Sequence, residues 1–484
     1  MKKRLSIFLT SCIITFGLFG ANMSAEASTI QTQTLDQSIK KIVNDKMAGA
    51  DVSVAIRDDK GKIIYGLNGN QKQKPASNMK LLTSAAALNV LGQNYRFKTS
   101  IYANGKVKNG VLKGDLYLQG KGDPTFNKED LEQFVSSIAA QGIKRIDGRI
   151  VADDFWFDQD LLTPGIAKED ESYYYAAPIT ALTTSPNSDY DSGTIIVEAK
   201  GDKVGKKPSL TITPELGDLV IENKGKTVEA NEPNTLTIER QFRTNKIVVS
   251  GNLPINKSLK EWVTVQNPTT HTLTMFKNLL KQNHIQYSKD KLYRAKTPKS
   301  AKLIAQKKSM TLSKLMVPYM KLSNNGIADI LVKTMGKVKM QKGSTEAGLK
   351  VLRQYAKSRQ LNIEEWIFED GSGMSHSNRV SSNNLTELLF IVQKENWFST
   401  YFNSLPVAAN SERMVGGTLR NRLKSPLTAE KVFAKTGSLT GVNTLSGYII
   451  GSSGKNFTFS ILVQNKSGTI SAIDEIVEVM AENL

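Results

Sequence analysis

The apolar positions fall into two periods, and the switches between them mark out the elements. Leu35, Ile39, Ile42, Val43 and Met47 recur at three- and four-residue intervals and predict a helix over Leu35–Met47. From Asp51 to Asp58 the period drops to two, with Val52, Val54 and Ile56 on one face of a strand. Asp58-Asp59-Lys60-Gly61 reads as a hairpin turn, and Lys62–Leu67 as the returning strand. A polar loop follows. Met79, Leu81, Leu82, Ala85, Leu88 and Leu91 then predict a second helix able to face a core.

The texture changes at about Phe97 and stays mixed to about Pro298. Short alternating strands, Lys113–Leu118 and Gly148–Ala152, surround a helix near Lys128–Gln141. From about Ser192 to Thr264 the pattern is almost all β. Strands begin at Thr194, Ser209, Leu219, Leu236 and Lys246 and are split by Gly, Asn and Lys turns, which predicts a small sandwich or barrel. Thr272–Gln282 returns to the helical period through Leu273, Phe276 and Leu280. Beyond Thr311 helices dominate: Leu312–Lys321, Gly326–Met335 and a longer one after Gly343. Val432–Lys435, Thr444–Ile450 and Phe457–Asn465 read as antiparallel strands, the last two joined by Gly451–Lys455. A closing amphipathic helix carries Ile470, Ile473, Val477 and Met480. The expected class is α/β, in the mixed α+β sense.

Composition adds the compartment. A length of 484 residues suggests two to four domains. Lys2, Lys3 and Arg4, an apolar run from Leu5 to Gly20, and Ala25-Glu26-Ala27 predict a secretory signal peptide over 1–27. Leu9-Thr10-Ser11-Cys12 resembles a lipoprotein processing site. Ordinary cleavage is favoured, because little apolar chain precedes Cys12 and the run continues past it. The single cysteine then leaves with the signal, and with it any disulfide or zinc–thiolate chemistry. The formal net charge is +19, and +17 after cleavage. Nucleic acid is not expected, since no RNA-binding aromatic pattern, zinc-finger spacing or basic heptad occurs. An anionic cell-wall polymer or membrane surface suits an exported basic protein better. A solvated Lys-rich surface is the plainer alternative.

Chemistry begins at Ser77-Asn78-Met79-Lys80. Ser and Lys three apart on a helix share one face, so an amine stands beside a hydroxyl. Such a hydroxyl becomes a nucleophile if a neutral amine takes its proton. Alone, the pair is better explained by an ordinary capped helix start after Pro75. Ser323-Asn324-Asn325 alone reads as a helix cap, and Lys435-Thr436-Gly437-Ser438 as part of an edge strand. Together, Ser-x-x-Lys, Ser-x-Asn and Lys-Thr-Gly in this order form the motif set of penicillin-binding proteins and serine β-lactamases.

The resemblance extends through Gly120-Lys-Gly-Asp-Pro-Thr, Asp370-Gly-Ser-Gly-Met-Ser, Leu405-Pro-Val-Ala, Gly417-Thr-Leu-Arg and Ala434–Val442. From about Leu35 to the C-terminus the chain resembles the class C low-molecular-mass penicillin-binding proteins of peptidase family S13, which are D-alanyl-D-alanine carboxypeptidases and endopeptidases. The resemblance implies a penicillin-recognising DD-peptidase/β-lactamase-like transpeptidase domain with two nested inserted domains. The gap of 246 residues between Ser77 and Ser323, against 112 between Ser323 and Lys435, fits such an insertion. The expected division is 28–96 plus 299–484 for the catalytic domain, 97–190 plus 265–298 for the outer insertion, and 191–264 for an inner, mainly β one.

For the site, the resemblance implies peptidoglycan stem peptides ending in D-Ala-D-Ala as substrate and β-lactams as acylating inhibitors. Ser77 is the nucleophile and Lys80 its base, with the charge of Lys435 helping to keep Lys80 neutral. Ser323 relays a proton to the leaving amine, and Asn325 binds the substrate backbone. Lys435 and Thr436 bind the terminal carboxylate. Gly437 lets the strand approach, and the N–H groups of Ser77 and Ser438 form the oxyanion hole. An acidic residue of the outer insertion binds the amino group of a diamino acid in the stem. Asp153 is the expected residue, with Phe157 beside it; a simple turn carboxylate is the alternative. Two positions depart from the family pattern: Asn324 where Asp is common, and His376 where Arg is expected. No cofactor or metal is expected. The three histidines do not cluster in sequence, Gly120–Pro124 lacks phosphate-loop spacing, and the Asp370 loop lacks the distal Glu of a calcium site. A β-lactamase, and a wall-binding or drug-sensing module that acylates without turnover, remain the other readings.

Overall fold

The computed structural model describes residues 33–215 and 217–484, so the expected signal peptide and Cys12 lie outside the described residues. The chain forms two compact units. Of the described residues, one comprises 33–74, Val380–Ile391 and Pro406–Leu484; the other comprises Pro75–Arg379 and Val392–Leu405.

The first unit is built on a five-stranded antiparallel sheet. Its strand order is Val432–Leu439, Val442–Ile450, Asn456–Gln464, Asp51–Arg57, Ile63–Leu67. The N-terminal hairpin thus joins the C-terminal one, Val52 opposite Val463 and Val54 opposite Ile461. The helix over 33–46 and the helix Ile470–Asn483 supply Leu35, Ile39, Ile473, Ile476 and Met480 to the core under the sheet. The opposite face also has partners. Ser382 Oγ meets Ser53 Oγ at 2.6 Å, and Tyr448 donates to the Leu389 carbonyl at 2.8 Å. Val442–Ile450 is buried at every position but the last, because both its faces are covered. Helix Ser382–Val392, which supplies those partners, was not among the expected elements.

The second unit has a helical part and a β-rich part. Helices Met79–Leu91, Leu312–Lys321, Asn325–Met340, Thr345–Ser358 and Phe398–Ser404 make up the first. Met79–Leu91 is buried at every residue from Met79 to Leu88, so its polar Lys80, Thr83 and Ser84 lie inside the protein. A polar group in such a place needs a partner, since leaving it bare costs on the order of 1–3 kcal/mol.

In the β-rich part, strands Lys98–Lys108 and Val111–Gly120 anchor a mixed sheet, with helices Lys128–Ala140 and Pro268–Gln282 filling its core. Lys302–Lys308 pairs along Lys98–Lys108, beyond the residue 298 at which the insertion was expected to end. Among the described residues between Thr194 and Thr264 lie two three-stranded sheets and a small parallel pair. Ile195, Val197, Ile238, Ile247, Val249 and Val263 form a core of their own there.

A long segment from Asp154 to Gly193 links these parts. Its helical content is two short 3-10 turns, Lys168–Asp170 and Tyr174–Ala176. It lies along the helix Asn325–Met340 through side-chain bonds described below.

Candidate active site

Ser77 sits inside a 3-10 turn, Ala76–Asn78, that leads directly into the helix Met79–Leu91. It is therefore not the cap of that helix. Ala76 adopts φ +45, and Gly373, at φ +89, lies against it. The three-residue spacing does what helix geometry demands: Lys80 Nζ donates to Ser77 Oγ at 2.9 Å.

Lys80 is fully buried and makes two further bonds, to Asn325 Oδ1 at 2.6 Å and to the Ser372 carbonyl at 2.7 Å. Burial pushes its pKa down to about 7, against the opposing pull of the Asp329 and Asp370 carboxylates. Desolvation is thus the leading cause of its easy deprotonation. Near neutrality a substantial fraction of Lys80 is the free amine a base requires.

Asp370 shapes the loop that supplies the Ser372 carbonyl. Its carboxylate accepts from the backbone N–H groups of Gly373 and Ser375, both at 2.6 Å, and from Asn378 Nδ2 at 3.1 Å. Thr83 Oγ1 ties the same loop down by donating to the Gly371 carbonyl at 2.7 Å.

The second motif lies between two helices. Ser323 has φ +60 in the connection, and Asn324 caps the helix Asn325–Met340 by accepting from Ile327 N at 2.9 Å. Asn324 Nδ2 donates to Asp191 Oδ1 at 2.9 Å and to the Asp189 carbonyl at 3.1 Å. An aspartate here has no proton to offer a second carboxylate, so the departure at Asn324 matches its neighbours. Asn325 divides its amide: Oδ1 faces Lys80, and Nδ2 donates to the Tyr175 carbonyl at 3.0 Å. A role for Asn325 in holding Lys80 is thereby added to its expected role toward substrate.

The third motif is in the other unit. Lys435 is buried on the edge strand Val432–Leu439, and its Nζ donates to the Thr436 carbonyl at 2.7 Å. Thr436 Oγ1 donates to Thr418 Oγ1 at 2.8 Å, and Ser438 Oγ donates to Asn443 Oδ1 at 3.3 Å. Gly437 stands opposite Thr444 in the sheet.

Asp153 and Phe157 are both buried. Asp153 is 4% exposed. Its oxygens accept from Gln119 Nε2 at 2.6 Å, Thr297 N at 2.8 Å and Phe155 N at 3.2 Å. That is the turn-carboxylate arrangement, with little left for a ligand. Phe157 is buried beneath Gly122 and Gly343, and a β-carbon on Gly122 would lie 2.6 Å from its ring.

The structure instead brings Tyr175 to the second motif. Its ring stacks on Tyr173 at 5.5 Å, and its hydroxyl donates to the partly exposed Asp170 at 2.9 Å. Sequence reading missed Asp329, Tyr175 and Asp170. The signal for Asp329 was present, as a carboxylate one turn after Asn325 in an otherwise apolar stretch.

The family model described as the D-Ala-D-Ala carboxypeptidase 3 (S13) family matches residues 35–483. The chain belongs to that family. A D-alanyl-D-alanine carboxypeptidase of Actinomadura sp. is 34% identical over 473 residues, 96% of this chain and 88% of the relative. The carboxypeptidase DacB of Haemophilus influenzae is 25% identical, over 95% of this chain and 93% of the relative. Among solved structures, penicillin-binding protein 4 of Haemophilus influenzae superposes with a TM-score of 0.78 at 24% identity, covering 92% of this chain and 97% of that one. The S13 chain thus has the mixed α/β penicillin-recognising fold expected from its motifs.

Proposed function

We propose that this S13 protein is a serine D-Ala-D-Ala carboxypeptidase in which Ser77 forms the acyl-enzyme. The observation that carries it is Lys80 Nζ, fully buried and 2.9 Å from Ser77 Oγ. Lys80 as free amine takes the Ser77 proton while Oγ attacks the carbonyl of the penultimate D-Ala. The tetrahedral oxyanion collapses, the C–N bond breaks, and the terminal D-Ala leaves after its nitrogen gains a proton through Ser323. Water then hydrolyses the ester and regenerates the Ser77 hydroxyl. Binding of the terminal carboxylate by Lys435 and Thr436, close approach at Gly437 and an oxyanion contact from Ser438 N–H rest on the resemblance. One such donor is typically worth about 3–4 kcal/mol to the transition state.

The acidic residue that suits a diamino acid side chain is Asp170 rather than Asp153. It is partly exposed and bonded to Tyr175, whose carbonyl meets Asn325. Cleavage of D-Ala–diamino acid cross-links is the same chemistry on a larger leaving group, and belongs to the proposal as a second activity. So do the nested inserted domains, the outer one extended to Lys308, and export under the N-terminal signal, because peptidoglycan lies outside the membrane. No helix among the described residues is long and apolar enough to cross one. The basic balance of the chain suits anionic wall polymers.

A fluorescent penicillin tests the core of the reading. It should label the parent and not Ser77→Ala; retained labelling would overturn Ser77 as nucleophile. A long-lived penicilloyl adduct separates this enzyme from a β-lactamase. Release of D-alanine from a stem peptide separates it from a module that acylates without turnover. Defined cross-linked muropeptides report the endopeptidase activity.

A further inference from the structure

One face of the helix Asn325–Met340 carries Asn325, Asp329 and Lys333, spaced by four residues and therefore in line. All three are buried, at 8%, 6% and 2% exposure. Each holds a different point of the irregular segment 158–175. Asn325 donates to the Tyr175 carbonyl at 3.0 Å. Thr163 Oγ1 donates to Asp329 Oδ2 at 2.6 Å. Lys333 Nζ donates to Asp158 Oδ1 at 2.7 Å and to the Asp160 carbonyl at 2.5 Å. We propose that Thr163 and Asp329 are positioning residues for acylation, the seated segment setting, through their hydrogen bond, the charge that faces Lys80.

The bonding of Asp329 is unlike that of an ordinary structural carboxylate. Its other oxygen, Oδ1, is buried with no hydrogen-bond partner. Asp370, in the same cluster, has three donors. Three donors thus oppose the burial that raises Asp370, while the hydrogen bonding of Asp329 rests on Thr163. The charged and titratable groups that act on Asp329 are Lys80, Asp370, Lys333 and, from the helix Leu312–Lys321, Tyr319. Burial and Asp370 push Asp329 up to about 7, while Thr163, Lys80 and Lys333 oppose them. Lys80 is brought to about the same range, and the charge of each group bears on the proton of the other.

The sign follows from Coulomb attraction. An ionised Asp329 favours charged Lys80 and withholds the free amine; a neutral Asp329 releases it. Thr163 stabilises the ionised form by donating to it. This inference rests on Lys80 being the base for Ser77.

The test is the pH dependence of the second-order acylation rate with a fluorescent penicillin, for the parent, Asp329→Asn, Thr163→Val and Thr163→Ser. In Asp329→Asn the acid limb should move to lower pH. Acylation at pH 5.5, relative to each protein's plateau, should then rise on the order of threefold to tenfold. Thr163→Val should move the limb the same way by less, and Thr163→Ser should restore the parent profile. Profiles that superimpose on the parent, or that move to higher pH, would overturn the inference, as would Thr163→Ser behaving like Thr163→Val. Should Asp329→Asn fold poorly, the Thr163 pair decides alone. Labelling retained by Ser77→Ala would instead overturn the reading of the site itself.

Discussion

Gly373 lies so close to Ala76 that a β-carbon on it would stand 1.8 Å from the Ala76 carbonyl oxygen. The contact presses the Asp370 loop against the turn that presents Ser77, where Ala76 already holds φ +45. A side chain at Gly373 is excluded twice, by this contact and by its own φ of +89. Gly373→Ala should slow penicillin acylation by about a hundredfold or more and cost about 2 kcal/mol of stability. Labelling rates and thermal melts check both. Acylation near the parent rate would show that the Ser77 turn does not depend on this contact.

Acylation should rise with pH through about 7 in the parent, because burial brings Lys80 down to that range and only its free amine accepts the Ser77 proton. Lys80→Ala should lose on the order of 10²- to 10⁴-fold in acylation rate, the usual contribution of a positioned base. Stopped-flow acylation across pH 5–9 measures the first, and a single-pH comparison the second. An acid limb far from 7 would require a different base.

Stability should respond to Asp329 in the opposite sense to a salt-bridged carboxylate. Its pKa is raised from 3.8 to about 7 in the folded protein, chiefly by burial. Between those values the folded state keeps a proton that the unfolded state has lost, so stability falls as pH rises through this window. Asp329→Asn removes that cost. The variant should match the parent near pH 4 and exceed it by on the order of 3–4 kcal/mol at pH 7. Denaturant titrations at the two pH values read the difference, and an equal gain at both would point to a cause other than ionisation.

Asp153 and Asp170 should separate cleanly. Asp153→Ala leaves three donors unpaired, two of them backbone N–H groups. It should cost about 1–3 kcal/mol and lower turnover of a diaminopimelate-containing peptide and of a simple diacyl peptide together. Asp170→Asn should weaken only the first. Paired KM and kcat measurements on the two peptides distinguish the roles. A selective loss in Asp153→Ala would restore its expected place at the substrate.

Much of the fold was legible in the chain because its elements are locally patterned. Leu312–Lys321 was read with the bounds the structure gives it, and the helices at Lys128 and Ile470 within a few residues. Lys302–Lys308 was not, because its half-exposed, Lys-rich pattern gains strand character only beside Lys98–Lys108. Phe398–Ser404 was missed because seven residues are too few for a helical period to stand out. The sequence left Asp153 open for a related reason. A carboxylate after a strand looks the same in sequence whether it faces substrate or its own turn.

By itself, the sequence determined which residues share a face. Ser77 and Lys80 meet because they are three apart on a helix, and Asn325, Asp329 and Lys333 align because they are four apart. It also set the order of the three motifs and, through them, the family. Tertiary structure alone decided what Lys80 is. Its partners Asn325 and Ser372 come from 245 and 292 residues away, and the carboxylates that oppose its deprotonation from similar distances. A lysine pKa depends on the water removed and the charges left nearby, and both are properties of the packed interior.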